Sequence, residues 1–166
     1  MKRIETARET WAGFASSPKS RTGASHQKIS ERFAAPGPIS QHLPLFITAQ
    51  GLASWLAKTI KFDARLGAKL RFEPLAGEIL REGDEPVFGG TYTSLVIPKN
   101  IILTSERHGE VAIALRERNE LTEFDVTFSS RLLPDEVAEW QQLVEAALDR
   151  LLSRANESDP GGQANA

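Results

Sequence analysis

Apolar and polar residues alternate along much of the second half of the chain. In the segment 121–129, Phe124, Val126 and Phe128 alternate with acidic or hydroxyl residues. Similar runs occur at 68–73, 87–97, 101–106 and 111–116, separated by turn residues such as glycine, proline and asparagine. A period of two is typical of strands with one buried face, and short turns join such strands as hairpins. The pattern therefore predicts a mostly antiparallel sheet.

The apolar period changes after Leu133, where a long amphipathic helix is predicted to run to about Ala155. Pro134 suits the first turn of a helix, and Asp135 and Glu136 suit the positive end of its dipole. The apolar positions then recur every three or four residues, which is the helical period. They are Val137, Trp140, Val144, Ala147, Leu148, Leu151 and Leu152. We expect this stripe to lie against the buried face of the sheet.

The N-terminal part has weaker signals. The segment 5–15 is predicted as a short helix, in which Thr6 and Glu9 form a capping box. A helix this short is marginal in water, so Trp11 on its apolar side must be buried against something. The segment either packs against the main domain or acts as a docking or dimerisation arm. Residues 16–25 are polar and contain Pro and Gly, which predicts a linker.

Between this linker and the sheet, residues 26–33 are predicted as a first strand. Two short helices are predicted between Ile39 and Ala57, with Pro44 interrupting the first. A further short strand is predicted around Ile79 and Leu80.

The chain therefore divides into three parts. Residues 1–25 are expected to be a helical extension with its linker, and residues 26–155 a single domain. Residues 156–166 are polar and glycine-rich, which predicts a disordered tail.

Composition narrows the class of protein. The chain has 166 residues, of which 40% are hydrophobic and 25% are charged, as in one ordinary globular domain. The net charge of −2 and the scattered basic residues argue against a nucleic-acid binder. The absence of cysteine excludes disulfides and thiolate-bound metals. No apolar run reaches the length of a membrane span, and no apolar signal segment follows the basic start, so we expect a cytoplasmic protein.

Candidate chemistry is sparse. His26, His42 and His108 lie in different predicted elements without metal-ligand spacing, so each is predicted to be a surface or capping residue. Glu123 and Asp125 fall on the polar side of their strand, where carboxylates are normally solvated. No phosphate-binding, dinucleotide or hydrolase motif is present. We therefore expect no metal and no cofactor, and we assign no catalytic residue.

Several stretches carry a resemblance to a known family. They are Leu52-Ala53-Ser54-Trp55-Leu56, Gly67–Phe72, Gly90–Pro98 with Ile101–Thr104, Thr122–Phe128 and Trp140–Leu152. In this order they resemble the branch of the START or SRPBCC superfamily that is named for homologues of the activator of the heat-shock protein 90 ATPase. The resemblance covers roughly residues 26–155. The chain departs from the branch at Leu45-Phe46, where Val-Trp is usual.

The resemblance implies an α+β helix-grip fold. In that fold a curved antiparallel sheet wraps around a long C-terminal helix, with two short helices near the N-terminus. Members of the superfamily bind apolar or amphipathic ligands between the sheet and the helix. Some are enzymes, and others act as cochaperone-like partners.

On this view, inward-facing residues would line a ligand cavity, with the Tyr92 hydroxyl available to the ligand. The expected lining residues are Trp55, Leu70, Phe72, Tyr92, Leu103, Ile113, Phe124, Val126, Trp140 and Val144. The same pattern is equally expected of a solid core, because periodicity reports burial and not empty volume.

Three hypotheses about function follow. The first is a non-enzymatic binding module for a small apolar or amphipathic molecule. The second is a cochaperone-like module that contacts a chaperone or a second copy of itself, and the third is an enzyme.

Overall fold

The computed structural model of the chain describes residues 7–12, 23–76, 78 and 86–157. Within these residues an antiparallel sheet is combined with short helices and one long helix. The strands are β1 (Ala7–Ala12), β2 (Ser25–Pro36), β3 (Lys58–Lys61), β4 (Leu70–Glu73), β5 (Phe88–Val96), β6 (Asn100–Ser105), β7 (Gly109–Arg118) and β8 (Leu121–Leu132). The helices are α1 (Ile39–His42), α2 (Pro44–Ile47), α3 (Ala49–Ala53) and α4 (Val137–Glu157), the last preceded by a 3₁₀ turn at Pro134–Glu136.

The strands form one sheet in the order β1-β2-β8-β7-β6-β5-β4-β3, and every neighbouring pair is antiparallel. The strands β5 to β8 follow one another as hairpins, as the alternating pattern predicts. At the β7–β8 turn, Asn119 and Glu120 have φ values of 52° and 67°. Positive φ at both central residues is the geometry of a tight two-residue hairpin, which asparagine tolerates well.

The core lies between one face of the sheet and α4. On β8, Phe124, Val126 and Phe128 are buried, whereas Asp125 between them is exposed. The apolar stripe of α4 is buried as well, including Leu148 at 0% exposure. The predicted α+β architecture, an antiparallel sheet holding a long C-terminal helix, is therefore confirmed.

The short helices differ from the prediction, because three of them replace the expected two. Pro44 begins α2 and does not interrupt a helix, since a residue without an N–H is acceptable at the first helical position. Thr48 then caps α3 by accepting a hydrogen bond from the Gly51 N–H at 2.9 Å. A side chain at Gly51 would clash with the Pro44 carbonyl, so glycine allows α2 and α3 to approach closely. Trp55 lies in the turn after α3.

The helix predicted at 5–15 is wrong for the residues that the structure describes. Residues 7–12 form β1, which pairs with β2 from Ala7 opposite Arg32 to Ala12 opposite Gln27. A strand beside β2 gains inter-strand hydrogen bonds that an isolated short helix cannot match in stability. The rest of that predicted helix lies outside the described residues.

Other predictions fall at the borders of the described residues. The first strand is confirmed and is longer than expected. The strand predicted around Ile79 and Leu80 lies outside the described part of the chain, as do residues 158–166 of the predicted tail. The strand β3 was not predicted, because in its four residues only Thr59 is partly buried and no alternation is visible.

Candidate functional site

The expected lining residues are brought together in one buried cluster between the sheet and α4. Each of them is at most 4% exposed, and Trp140 is the most exposed. Strands β4 to β8 supply seven of these side chains, α4 supplies Trp140 and Val144, and the turn after α3 supplies Trp55. All ten side chains therefore lie in the buried core, and their role in lining a ligand cavity stays a prediction.

Aromatic rings fill the part of the interior next to the short helices. Phe33 and Phe124 are stacked with ring centres 4.5 Å apart. Trp55 meets Phe46 and Phe128 edge-on, at 5.8 and 6.3 Å. Edge-to-face and offset stacked pairs at these separations add to the stability gained from burial. Phe33, Phe46 and Phe128 are interior residues that the expected lining set omits.

The polar atoms of the interior aromatic residues bond to the protein's own backbone. The Tyr92 hydroxyl donates a hydrogen bond to the Phe46 carbonyl, and burial raises the pKa of Tyr92. The Nε1 groups of Trp55 and Trp140 donate to the carbonyls of Leu45 and His108, each at 2.9 Å. The hydroxyl that we expected Tyr92 to offer to a ligand is therefore engaged by the backbone.

His108 is fully buried, so it is not a surface residue, which was one of the two roles predicted for it. Its Nδ1 lies 2.9 Å from the Ser105 hydroxyl, which also accepts the His108 backbone N–H. Its Nε2 has no hydrogen-bond partner among the described residues. The ring centre lies 5.7 and 6.3 Å from those of Phe88 and Phe128. Desolvation, assisted by Arg107 and Arg150, lowers the pKa of His108 to about 3, so the ring is neutral near pH 7.

His42 is also fully buried, so it is not a surface residue either. Its Nε2 donates to the Pro36 carbonyl at 2.7 Å, because a carbonyl can only accept. Its Nδ1 has no partner in the described structure, and its ring meets Phe124 edge-on at 5.1 Å. Desolvation lowers the pKa of His42. The residue joins α1 to the end of β2.

A cluster of charged side chains, Glu78, Arg107 and Arg150, lies beside His108. Arg150 of α4 donates to Glu78 at 2.9 Å and, through Nε, to the Trp55 carbonyl at 2.9 Å. Arg107 lies 3.6 Å from the other Glu78 oxygen. The Glu78 side chain is only 9% exposed. Sequence reasoning missed this cluster because its members lie far apart along the chain.

A family model described as activator of Hsp90 ATPase homolog 1-like protein matches residues 44–155. The chain belongs to this family. The match runs from the start of α2 into the last turns of α4, and it includes β3 to β8 and both tryptophans of the interior. The family resemblance inferred from the sequence is therefore confirmed.

Solved structures of the same shape support the fold of this family member. The solution structure of CalU16 from Micromonospora echinospora has a TM-score of 0.60 and 18% identity, covering 93% of this chain and 78% of that one. The Aha1 dimer from Colwellia psychrerythraea has a TM-score of 0.57 and 15% identity, covering 81% and 97%. A Bacillus halodurans protein has a TM-score of 0.60 and 16% identity, covering 78% and 96%. These similarities show the helix-grip fold. No curated protein matches the chain in sequence.

In this activator-homologue chain the carboxylates of β8 face solvent, as predicted. Glu123 binds Arg116 at 2.6 Å and Arg118 at 3.3 Å, and these arginines lower the pKa of Glu123. Asp125 lies 3.6 Å from Arg32. Neither carboxylate reaches the interior.

Within the described ranges, no group of three His, Asp or Glu side chains is arranged to bind a metal ion. None of the helices described there has the length and apolarity to cross a membrane.

Proposed function

We propose that this chain is a non-enzymatic binding module that holds a small apolar or amphipathic molecule between the sheet and α4. The observation that carries the proposal is the Nε2 atom of His108, which is fully buried and has no described hydrogen-bond partner. Buried polar atoms in proteins almost always have a partner. A polar group of a ligand can supply it, and the cytoplasm is the location that we expect for this activity.

The surroundings of His108 define the chemistry of the ligand. A neutral imidazole has one protonated and one unprotonated nitrogen, so Nε2 either donates or accepts a single hydrogen bond. A hydroxyl group on the ligand can either accept from Nε2 or donate to it, so it fits both forms of the ring. The rings of Phe88 and Phe128 beside His108 favour an aromatic or aliphatic body. An apolar interior with a few converging polar groups is the usual composition of a small-molecule site. A fatty alcohol or a phenol has this chemistry.

We expect native mass spectrometry of gently purified protein to show a bound small molecule, because this interior is desolvated and its ligand would leave slowly. A thermal-shift panel of fatty alcohols, fatty acids and phenols should raise Tm for the parent protein. The increase should be lost in His108→Phe, which removes the polar atom and keeps an aromatic ring. The matched control, His26→Gln, changes a histidine that lies outside the buried cluster and should respond like the parent.

A clean apo mass, together with no thermal shift for any member of the panel, would contradict the ligand-binding proposal. An equal shift in the parent and in His108→Phe would show that His108 does not anchor the ligand.

A second candidate function is a cochaperone-like interaction module, in keeping with the description of the family. Large apolar side chains on the described surface favour it, because Ile60, Leu66, Val96 and Ile97 are 51%, 65%, 58% and 47% exposed. Val96 ends β5 and Ile97 follows it directly, so two exposed apolar residues are consecutive there, and we refer to this pair as the apolar patch. Exposed apolar patches often mark protein contacts. One solved structure of similar shape is an Aha1 dimer, so a second copy of the chain is a natural partner.

For this candidate we expect light scattering coupled to size-exclusion chromatography to give a dimer mass for the parent protein. Replacing Val96 and Ile97 together by serine should give a monomer with an unchanged circular dichroism spectrum, because only exposed apolar area is removed. The control is Thr93→Ala, a change at an exposed position of the same strand. A monomeric parent over the whole concentration range, or a dimeric double variant, would exclude self-association through this patch.

A further inference from the structure

The outer face of the sheet carries a groove of about 510 Å³ that crosses β3 to β6. It lies on the side away from α4, because Arg71 in its wall is exposed whereas Phe72, the next residue, is fully buried. The groove therefore opens on the opposite face of the sheet from the interior around His108, and Ser105 of β6 borders both. Its lining residues are Lys61, Lys69, Leu70, Arg71, Gly89, Gly90, Thr91, Thr104, Ser105 and Glu106.

Three cationic side chains lie close together at one end of this groove. Lys61 of β3 is directly opposite Arg71 of β4 in the strand register, and Lys69 is two residues before Arg71 on the same side. In the part of the chain that the structure describes, none of the three has an ion-pair partner. Like charges directly opposite each other on a sheet are destabilising. An anion bound between these cationic side chains would offset their repulsion.

The other end of the groove holds hydrogen-bonding groups. The Gly89 N–H donates to Glu106 Oε1 at 2.7 Å, so the floor of the groove already binds one carboxylate. Thr91 and Thr104 are opposite each other in the β5–β6 register and add two hydroxyl groups. Three cations against one carboxylate leave the groove positive.

We propose that this groove is a second binding site, specific for a small organic anion that carries phosphate or carboxylate groups. Lys61, Lys69 and Arg71 bind the anionic groups, and the rest of the ligand faces Thr91, Thr104 and Glu106. The volume lies within the range of about 300–1,000 Å³ that is typical of small-molecule sites. A stable protein partner would need roughly 800 Å² of surface on each side, much more than a groove across four strands provides.

Tripolyphosphate and citrate are suitable probes, used in low-salt buffer because exposed charges are screened by salt. We expect both to raise Tm of the parent protein and to bind measurably by isothermal titration calorimetry. Arg71→Gln and Lys69→Gln should each weaken binding by about tenfold or more, since each removes a charge-assisted hydrogen bond. Lys99→Gln removes an exposed charge on the β5–β6 turn, outside the groove, and should bind like the parent.

A variant that fails to fold would not be mistaken for a binding defect. Without a probe, Arg71→Gln should have an equal or higher Tm than the parent protein, because it relieves the repulsion with Lys61.

Three results would overturn the proposal. The first is the absence of any response to either probe. The second is an equal response in Arg71→Gln, Lys99→Gln and the parent, which would mean an adventitious ion only. The third is tighter binding of a glutamate-rich peptide or of phosphatidylserine vesicles than of both small probes, which would assign the surface to a macromolecule or a membrane.

Discussion

Replacing Trp55 by alanine is expected to lower the free energy of unfolding by about 3–5 kcal/mol, as is typical of large-to-small changes at buried aromatic residues. The Trp55 ring is 0% exposed and is held edge-on by Phe46 and Phe128. Its removal leaves a cavity in the interior and takes away the donor to the Leu45 carbonyl. Equilibrium unfolding in urea measures the change, as a lower midpoint with an unchanged m-value.

Trp55→Phe is the matched control. It keeps most of the apolar volume and removes only the Nε1 donor, so we expect a loss of about 1–2 kcal/mol. A value for Trp55→Ala within about 1 kcal/mol of the parent would be too small for the loss of a buried aromatic ring. It would mean that the short helices are not attached to the core through this residue.

The effect is large because Trp55 joins three parts of the fold. Its Nε1 binds α2 through Leu45, its ring packs against Phe128 of β8, and its carbonyl accepts from Arg150 of α4. The sequence predicts Trp55 as an apolar position but does not contain the three contacts. They arise only when segments that are distant along the chain are brought together.

The sheet and α4 were predictable because their patterns are long and depend on local periodicity. The strand β8 alternates along nearly its whole length with one buried face, and α4 repeats its apolar positions over several turns. Such long patterns fit only one type of secondary structure. The segment 7–12 is different, because Ala7 and Trp11 fit one side of a helix and the segment also fits a strand. Its pairing with β2, a segment farther along the chain, decides between them.

Much of the polar chemistry was not predictable for a related reason. Residue type alone does not tell whether a histidine is buried, and His42 and His108 acquire their partners, the Pro36 carbonyl and the Ser105 hydroxyl, only in local turns of the folded chain. The opposition of Lys61 and Arg71 depends on the β3–β4 register, which includes a shift between Thr59 and Lys61. A sequence pattern does not report such an irregularity.

Acidification is expected to destabilise the protein through His108, with the loss beginning below the ordinary histidine pKa of 6.5. Burial lowers the pKa of His108 to about 3 in the folded state. The unfolded chain therefore takes up a proton between pH 6.5 and about 3, while the folded chain does not. The free energy of unfolding is unaffected above pH 6.5 and falls as the pH drops, by about 3 kcal/mol at roughly pH 4. Of the groups that face the ring, Arg107 and Arg150 oppose its protonation.

Carboxylates also titrate as the pH falls. The informative measurement is therefore the difference in the free energy of unfolding between the parent protein and His108→Phe. Glu123, whose pKa the neighbouring arginines lower, also loses its stabilising charge as the pH falls. That contribution is common to the parent and to His108→Phe, which has no ionisable group at this position. Urea unfolding at a series of pH values should show the parent losing about 3 kcal/mol more than His108→Phe between pH 7 and 4. Parallel curves would mean that His108 takes up its proton equally in both states, and that its ring is open to water in the folded protein.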